Sequence, residues 1–181
     1  ELARENSAAL AEANDFLAKR LGADPAGLRQ DAKESIGMVQ VDAGKAAVVA
    51  QFDQPAAITA IRVKMAFKDR QDEIAALRKL ALRITWDGKK EPAVWSPLGD
   101  FFGTAPGVNK FRSLPVGMTD DGFYSLWYMP FKSARIELVN DDEVARGALF
   151  TVVTAPLSQP LERLGRFHAK WHRDVFPLPK D

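Results

Sequence analysis

The chain has 181 residues, of which 46% are hydrophobic and 27% are charged, and it contains no cysteine. Its 25 basic and 24 acidic residues nearly cancel, which argues against a nucleic-acid partner, and the missing cysteine excludes disulfides, thiolate metal sites and cysteine nucleophiles. The length suits one domain with an appendage, and we expect no membrane span and no cofactor.

The first thirty residues are predicted to form an N-terminal helix and a connector. Asn6 or Ser7 is the expected N-cap, and Gly22 ends the helix. Apolar residues recur at helical spacing, namely Leu10, Ala13, Leu17 and Leu21. A narrow stripe of this kind packs on its own domain, or on a preceding one, more often than on a membrane.

Residues 31–181 change to a period of two and are predicted to form an all-β domain. The predicted strands are short and rich in β-formers: IGMVQV, KAAVVAQF, ITAIRVKMAF, KLALRITW, FYSLWYMPF, ARIELVN, ALFTVVTAP and RFHAKWHR. Eight strands after one helix indicate an antiparallel β-sandwich, of which the jelly roll is the commonest eight-stranded version. DRQDEIAALRKL is expected to add one or two helical turns, and Asp87-Gly88 a turn within a longer loop.

The segment PLGDFFGTAPGVNKFRSLPVG, residues 97–117, combines turn-forming residues with large apolar side chains. Solvated loops rarely carry adjacent phenylalanines, so we expect an ordered loop that packs against another surface. Successive side chains diverge in extended backbone, so one ring of Phe101 and Phe102 enters the core and the other meets a second surface. Asp100 is expected to fix the turn by accepting backbone N–H bonds.

Two histidines, His168 and His172, lie four residues apart and share one face of a helix or a strand. A metal pair is conceivable, but no third ligand is nearby and Lys170 lies between them. We favour a surface or interface role over hydrogen bonding to a substrate, and both over a metal site.

A glycosidase needs two carboxyl groups, one protonated and one ionised. The carboxylates considered for this role are Asp87, Asp100, Asp120, Asp121 and Glu137. Each has a structural explanation that we favour, as a turn residue beside glycine, an outward strand residue or a ligand of loop amides.

Aromatic side chains are more numerous than sandwich filling requires, and flat rings also stack on sugars. They are Trp86, Trp95, Trp127, Trp171, Tyr124 and Tyr128. Residues 123–131 carry apolar side chains on both faces of the predicted strand, so we expect both faces to be buried, one of them under the loop or a partner. Core packing is favoured over sugar stacking for each single residue.

Four ordered motifs resemble those of glycoside hydrolase family 172, formerly a domain of unknown function. They are FDQPAAITAIRVKM, LRITWDGKKEPAVWSPLGDFFG, YSLWYMPFKSARIELVND and RFHAKWHRD, and the resemblance covers residues 46–174. It implies a jelly-roll sandwich in a family whose members pair two such lobes and assemble as trimers or hexamers. It also implies cleavage or rearrangement of fructofuranosides and α-D-arabinofuranosides with retention.

The resemblance assigns no catalytic residue to this chain. It implies that the catalytic glutamates lie in a second lobe, in a segment like Gly-Thr-Glu-Asp-Tyr that this sequence lacks. Positions that match the family architecture are Asp100, Phe101, Phe102, Gly103, Met129, Pro130, Phe131, His168 and Trp171. The candidates for substrate binding or an interface are Asp100, Phe101, Phe102, Asn109, Trp127, Tyr128, His168, Trp171 and His172.

We therefore expect the first jelly-roll lobe of a furanoside-processing glycoside hydrolase, inactive by itself. Its expected partners are a carbohydrate and a second lobe or other copies of the chain. The alternative is a noncatalytic module that binds carbohydrate or builds an oligomer, and a metal enzyme built on the two histidines is a weaker hypothesis. The chain does not begin with Met and is expected to be a processed product or an excised piece. The missing cysteine does not fix the compartment, but it is compatible with the exported or periplasmic bacterial protein that we expect.

Overall fold

The predicted fold, a jelly-roll-type antiparallel β-sandwich with an N-terminal α-helix, is confirmed. A computed structural model describes residues 2–23, 27, 29–103 and 105–172, so the last residue of the predicted strand RFHAKWHR and the rest of the C-terminus lie outside the described residues. The helices are α1 (Leu2–Arg20), α2 (Arg70–Lys79) and α3 (Leu98–Phe101). The strands are β1 (Lys33–Val41), β2 (Ala46–Phe52), β3 (Ala56–Lys64), β4 (Leu80–Trp86), β5 (Val94–Pro97), β6 (Phe111–Arg112), β7 (Val116–Thr119), β8 (Gly122–Ser125), β9 (Met129–Phe131), β10 (Ala134–Asn140), β11 (Arg146–Ala155) and β12 (Ala169–Lys170).

Two sheets enclose one main hydrophobic core. The seven-stranded sheet has the order β1-β11-β3-β8-β7-β6, with β9 also paired to β3, and the five-stranded sheet has the order β12-β5-β4-β10-β2. Described neighbours pair antiparallel, except that β12 runs parallel to β5. The C-terminal segment therefore forms one edge of the five-stranded sheet.

Strand β4 follows the alternation predicted from its sequence. Leu80, Leu82, Ile84 and Trp86 are fully or almost fully buried in the core, while Arg83 and Thr85 lie on the other face. The indole of Trp86 also donates a 2.7 Å hydrogen bond from Nε1 to the carbonyl oxygen of Phe167. This bond attaches the C-terminal segment to the core.

The strand predicted over residues 123–131 is interrupted. Both β8 and β9 pair with β3, but residues 126–128 stand opposite only residues 59–60, which makes a bulge. Tyr124 and Leu126 are buried, but Trp127 is 45% exposed, so the loop does not cover this residue and burial under a partner stays a prediction. The bulge turns this indole outward because the extra residue breaks the alternation of the strand.

Helix α1 begins earlier than predicted. Asn6 and Ser7 lie within it rather than at its N-cap, because the preceding residues, Leu2 to Glu5, are mostly strong helix formers. The end is as expected, since Gly22 follows with a φ of +79°. Residues 6–19 are exposed, so Leu10, Ala13 and Leu17 of the apolar stripe do not pack on the sandwich, whereas Leu21 is half-buried. Helix α2 has ten residues, more than the one or two turns expected, and Asp69 caps it by accepting from the Asp72 amide.

Candidate functional site

The loop that starts at residue 97 begins with the short helix α3 and not with the extended backbone expected from the sequence, yet its two phenylalanines have different partners. Phe102 is buried in the main core, with its ring centroid 5.8 Å from that of Phe123. Phe101 packs edge-on against Phe102 at 5.1 Å and contacts the ring of Phe167 at 6.5 Å. The second surface expected from the sequence is therefore the C-terminal segment of the same chain, and both rings are buried.

Asp100 binds a side chain rather than the loop amides that the sequence suggested. Its Oδ2 accepts a 2.7 Å hydrogen bond from Nη1 of Arg78, in the last turn of α2. The guanidinium carbon of Arg78 also lies 5.3 Å from the ring centroid of Trp171. Arg78 thus brings together two candidates, Asp100 and Trp171, that are far apart in the sequence.

The next part of the loop is held by the start of α2. Arg70 donates to the carbonyl oxygens of Val108 at 3.1 Å and Pro106 at 3.2 Å, while Glu73 Oε1 accepts from the Val108 amide at 2.7 Å. Gly107 has a φ of +73°, and a Cβ there would lie 2.7 Å from Oε1 of Glu73. This part of the loop is ordered because α2 binds its backbone.

Trp127 joins the same region through Phe167. The two ring centroids are 6.1 Å apart, and Phe167 also contacts Phe101. Trp127 is 45% exposed and Trp171 is 41% exposed, so both indoles present free surface. We call this set the Asp100 cluster: Arg78, Asp100, Phe101, Trp127, Phe167 and Trp171.

The other candidates lie outside this cluster. The hydroxyl of Tyr128 accepts a 2.9 Å hydrogen bond from the Ser158 amide, and its ring lies under the guanidinium of Arg29. Asn109 is exposed and donates to the Pro106 carbonyl at 3.4 Å. Their described contacts hold local structure.

The two histidines lie on either side of β12, which is much shorter than the predicted strand over residues 166–173. His168 and His172 are both exposed. Among the described residues, no group of three or more histidine, aspartate or glutamate side chains is placed to hold a metal ion. Their position fits the surface role favoured from the sequence.

Asp87 and Glu137 serve as anchors for cations. Burial raises the pKa of Asp87, but hydrogen bonds from the Lys132 amide and the Arg166 guanidinium outweigh it and lower the pKa below its usual value. Burial also raises the pKa of Glu137, but Arg83 outweighs this effect and lowers the pKa below its usual value. Arg83 donates a 2.9 Å hydrogen bond from Nε to Oε2 of Glu137. Both groups are ionised structural partners.

Asp142 and Asp72 share the guanidinium of Arg146. Burial raises the pKa of Asp142, but Arg146, the Glu143 amide and Lys79 outweigh it and lower the value to about 2. The pKa of Asp72 is lowered by the Lys68 amide and by Arg146. A general acid of a glycosidase needs a raised pKa, so these carboxyls do not suit that role.

The cavity beside Asp100 is small. Arg78, Asp100, Leu77 and Gly107 are among the residues that line it, and its volume is about 10 Å³. Ligand pockets usually measure roughly 300–1,000 Å³, so a sugar at the Asp100 cluster would lie on an open surface or under a wall from another part of an assembly.

Arg78 and Phe167 were missed in the sequence. Arg78 lies outside the four motifs and Phe167 lies inside RFHAKWHRD, but the contacts of both residues come from other parts of the chain. The basic residues at the end of a predicted helix were the only available signal for Arg78.

A family model described as GH172 domain-like matches residues 31–150, about two thirds of the chain. The match contains Asp100, Phe101 and Trp127, whereas Phe167 and Trp171 follow it. No curated protein matches the chain. Within the described residues, no helix has the length and apolar character needed to cross a membrane.

Proposed function

The chain belongs to the GH172 domain-like family, and on that premise we propose that its β-sandwich is one lobe of a glycoside hydrolase acting on furanosides with retention. The proposed substrates are α-D-arabinofuranosides or fructofuranosides. The Asp100 cluster contacts the sugar, and a second jelly-roll lobe supplies the catalytic glutamates. Other copies of the chain complete the assembly, as a trimer or hexamer.

The observation that carries this proposal is the pairing of exposed indoles with a fixed ion pair. Trp127 and Trp171 offer flat apolar surfaces suited to the C–H face of a sugar ring. Arg78 and Asp100 supply N–H donors and carboxylate acceptors for hydroxyl groups beside the Trp171 ring. A few polar groups among aromatic surfaces are typical of sites that bind uncharged polar ligands.

The placement of catalysis in a second lobe is supported by the carboxylates of this one. A retaining glycosidase uses an ionised nucleophile and a protonated acid about 5–5.5 Å apart. The four carboxyls with lowered pKa values bind cations or amides, and Asp100 binds Arg78. The shallow surface beside Asp100 also lacks the enclosure that excludes water from a reacting sugar.

A noncatalytic, oligomer-building module is the second candidate, and one observation favours it. Ile36 and Met38 of edge strand β1 are each 63% exposed. Adjacent exposed apolar side chains on an edge strand are typical of a surface that another protein covers. If the domain is such a module, the Asp100 cluster binds a sugar, but no assembly of the chain hydrolyses it.

The test combines an activity assay with a binding assay on the 181-residue chain. We expect no hydrolysis of 4-nitrophenyl α-D-arabinofuranoside or of sucrose. We expect methyl α-D-arabinofuranoside or methyl β-D-fructofuranoside to shift NMR signals of the Asp100 cluster, and Trp127→Ala and Trp171→Ala to weaken binding. Val144→Ala, another exposed apolar position, is the control. Turnover that Asp100→Asn abolishes would place the chemistry in this lobe, and binding unaffected by both tryptophan variants would reject the site.

A further inference from the structure

The outer face of the five-stranded sheet carries two rows of side chains that cross its strands. One row pairs Gln51 of β2 with Arg135 of β10 and Thr85 of β4. The second row runs from β10 through β4 and β5 to β12, by the pairs Glu137–Arg83, Arg83–Trp95 and Trp95–Lys170. Alternate residues, such as Leu82, Ile84 and Ile136, face the core. The rows therefore lie on the face turned away from the core.

Hydrogen bonds fix these side chains in place. Arg135 donates a 3.0 Å hydrogen bond from Nη1 to Oε1 of Gln51. Gln51 in turn donates a 3.3 Å hydrogen bond from Nε2 to Oδ1 of Asp53. In the other direction, Glu137 pairs through Oε1 with Arg135 at 3.3 Å and through Oε2 with Arg83 at 2.9 Å. Side-chain contacts therefore connect Asp53 to Arg83 without a gap. They hold planar hydrogen-bond donors and acceptors in fixed positions on this face.

Trp95 continues this chain of contacts at β5. The guanidinium carbon of Arg83 lies 5.3 Å from its ring centroid, and 38% of the residue remains exposed. Its backbone is fixed as well, since the Trp171 amide donates 2.9 Å to the Trp95 carbonyl. An indole fixed in this way loses little freedom when a ligand stacks on it.

Open space lies at the other end of the chain of contacts. Gln51, Thr85, Lys89 and Arg135 line a cavity of about 390 Å³, which shares Gln51 and Asp53 with a neighbouring cavity of about 570 Å³. These volumes fall in the range of roughly 300–1,000 Å³ found for small-ligand sites. From β5 to β2 the face spans three strand spacings, about 14 Å, which suits a short oligosaccharide better than a single ring.

We propose that a neutral oligosaccharide binds across this face, stacking on Trp95 and donating and accepting hydrogen bonds with Arg83, Glu137, Arg135 and Gln51. The charges favour an uncharged ligand because two carboxylates, Asp53 and Glu137, balance the two guanidinium groups of the contact chain, while Lys89 and Lys170 lie at its two ends. Hydroxyl groups both donate and accept, and so match the mixed groups of the two rows. The ligand class rests on the proposed function, but the five residues proposed to contact this ligand do not belong to the Asp100 cluster.

The experiment titrates an α-1,5-linked arabinofuranosyl pentasaccharide and an inulin-type fructan pentasaccharide into the 181-residue chain, by calorimetry and NMR. We expect binding by at least one probe, and a loss of roughly fivefold or more with Trp95→Ala. Gln51→Ala is the second variant and decides the matter if Trp95→Ala fails to fold. Val48→Ala is the control because Val48 is exposed on the same face, beside Glu137, but has no polar group.

Comparison with Trp127→Ala separates this inference from the proposed function. Binding that Trp127→Ala weakens while Trp95→Ala and Gln51→Ala leave it intact overturns the inference and retains the Asp100 cluster. The reverse pattern supports the sheet face, and it rejects the cluster if Trp171→Ala also leaves binding intact. Failure of the unmodified chain to bind either probe overturns the inference, as does self-association that Trp95→Ala abolishes, because the face would then bind a second copy.

Discussion

Arg78 donates a 2.7 Å hydrogen bond to Asp100 and thereby joins the end of α2 to α3. The same guanidinium lies over the ring of Trp171. Asp100 therefore fixes the position of a cation that in turn contacts an indole of the C-terminal segment.

Arg78→Met should release Trp171 with little loss of stability. About half of the Arg78 side chain is exposed, so the ion pair is screened by solvent and its loss should cost under ~1 kcal/mol of unfolding free energy. The NMR signal of the Trp171 indole should broaden or shift toward a random-coil position. Lys110→Met, which breaks the exposed pair with Asp120, is the control. An unchanged Trp171 signal would show that Arg78 does not position the ring.

Phe102→Ala should mainly lower the stability of the fold, whereas Phe101→Ala should mainly loosen the C-terminal segment. Phe102 is completely buried against the core, so its truncation should cost about 3–5 kcal/mol in urea unfolding. Phe101 contacts Phe167, so Phe101→Ala should cost less and should increase hydrogen exchange at residues 167–171. Equal losses of stability without a change in exchange would contradict the assignment of the two rings to different surfaces.

Asp142 should make the fold sensitive to acid. Its pKa falls from 3.8 to about 2 on folding, so its contribution is present above the unfolded pKa and is lost as the pH falls from about 4 through 2. The free energy of unfolding should fall by an amount on the order of 1–2 kcal/mol over this pH range. Asp142→Asn should be less stable near pH 6 but should show a flatter slope below pH 4. Asp120→Asn, at an exposed carboxylate, is the control, and parallel slopes for Asp142→Asn and the unmodified chain would count against this assignment.

The chain should associate through the exposed apolar side chains of β1. Ile36 and Met38 are 63% exposed, and a lobe of a larger assembly would cover such a surface. Sedimentation should detect oligomers that Ile36→Ser combined with Met38→Ser reduces, while Val144→Ser leaves them unchanged. A monodisperse monomer at high concentration would refute this prediction.

Long strands could be predicted from the sequence because several residues repeat the same alternation. In β4, four apolar residues on one side fix both the type of element and the direction of the core. Strands β5, β6 and β7 have two to four residues each, too few to show a period. The bulge at residues 126–128 depends on the register against β3, which appears only after pairing.

The candidate site was predictable in its residue types but not in its connections. Adjacent phenylalanines in a turn-rich segment indicated that Phe101 and Phe102 meet different surfaces. The loop amides expected to bind Asp100 are the nearest donors in sequence, whereas the observed donor, Arg78, is brought to Asp100 by the packing of α2 against α3. Sequence spacing also overestimated the last strand, since Ala169 and Lys170 are the only residues of it within the described part of the chain that pair with β5.

The parallel pairing of β12 has a consequence for solubility. The backbone edge of β5 would otherwise be open, and β12 covers it with bonds from the Ala169 and Trp171 amides. Up to residue 172, where the described part of the chain ends, the new edge is two residues long and carries the exposed Lys170. A short, charged edge is a poor template for a further strand, so this side of the domain is protected from sheet-to-sheet aggregation.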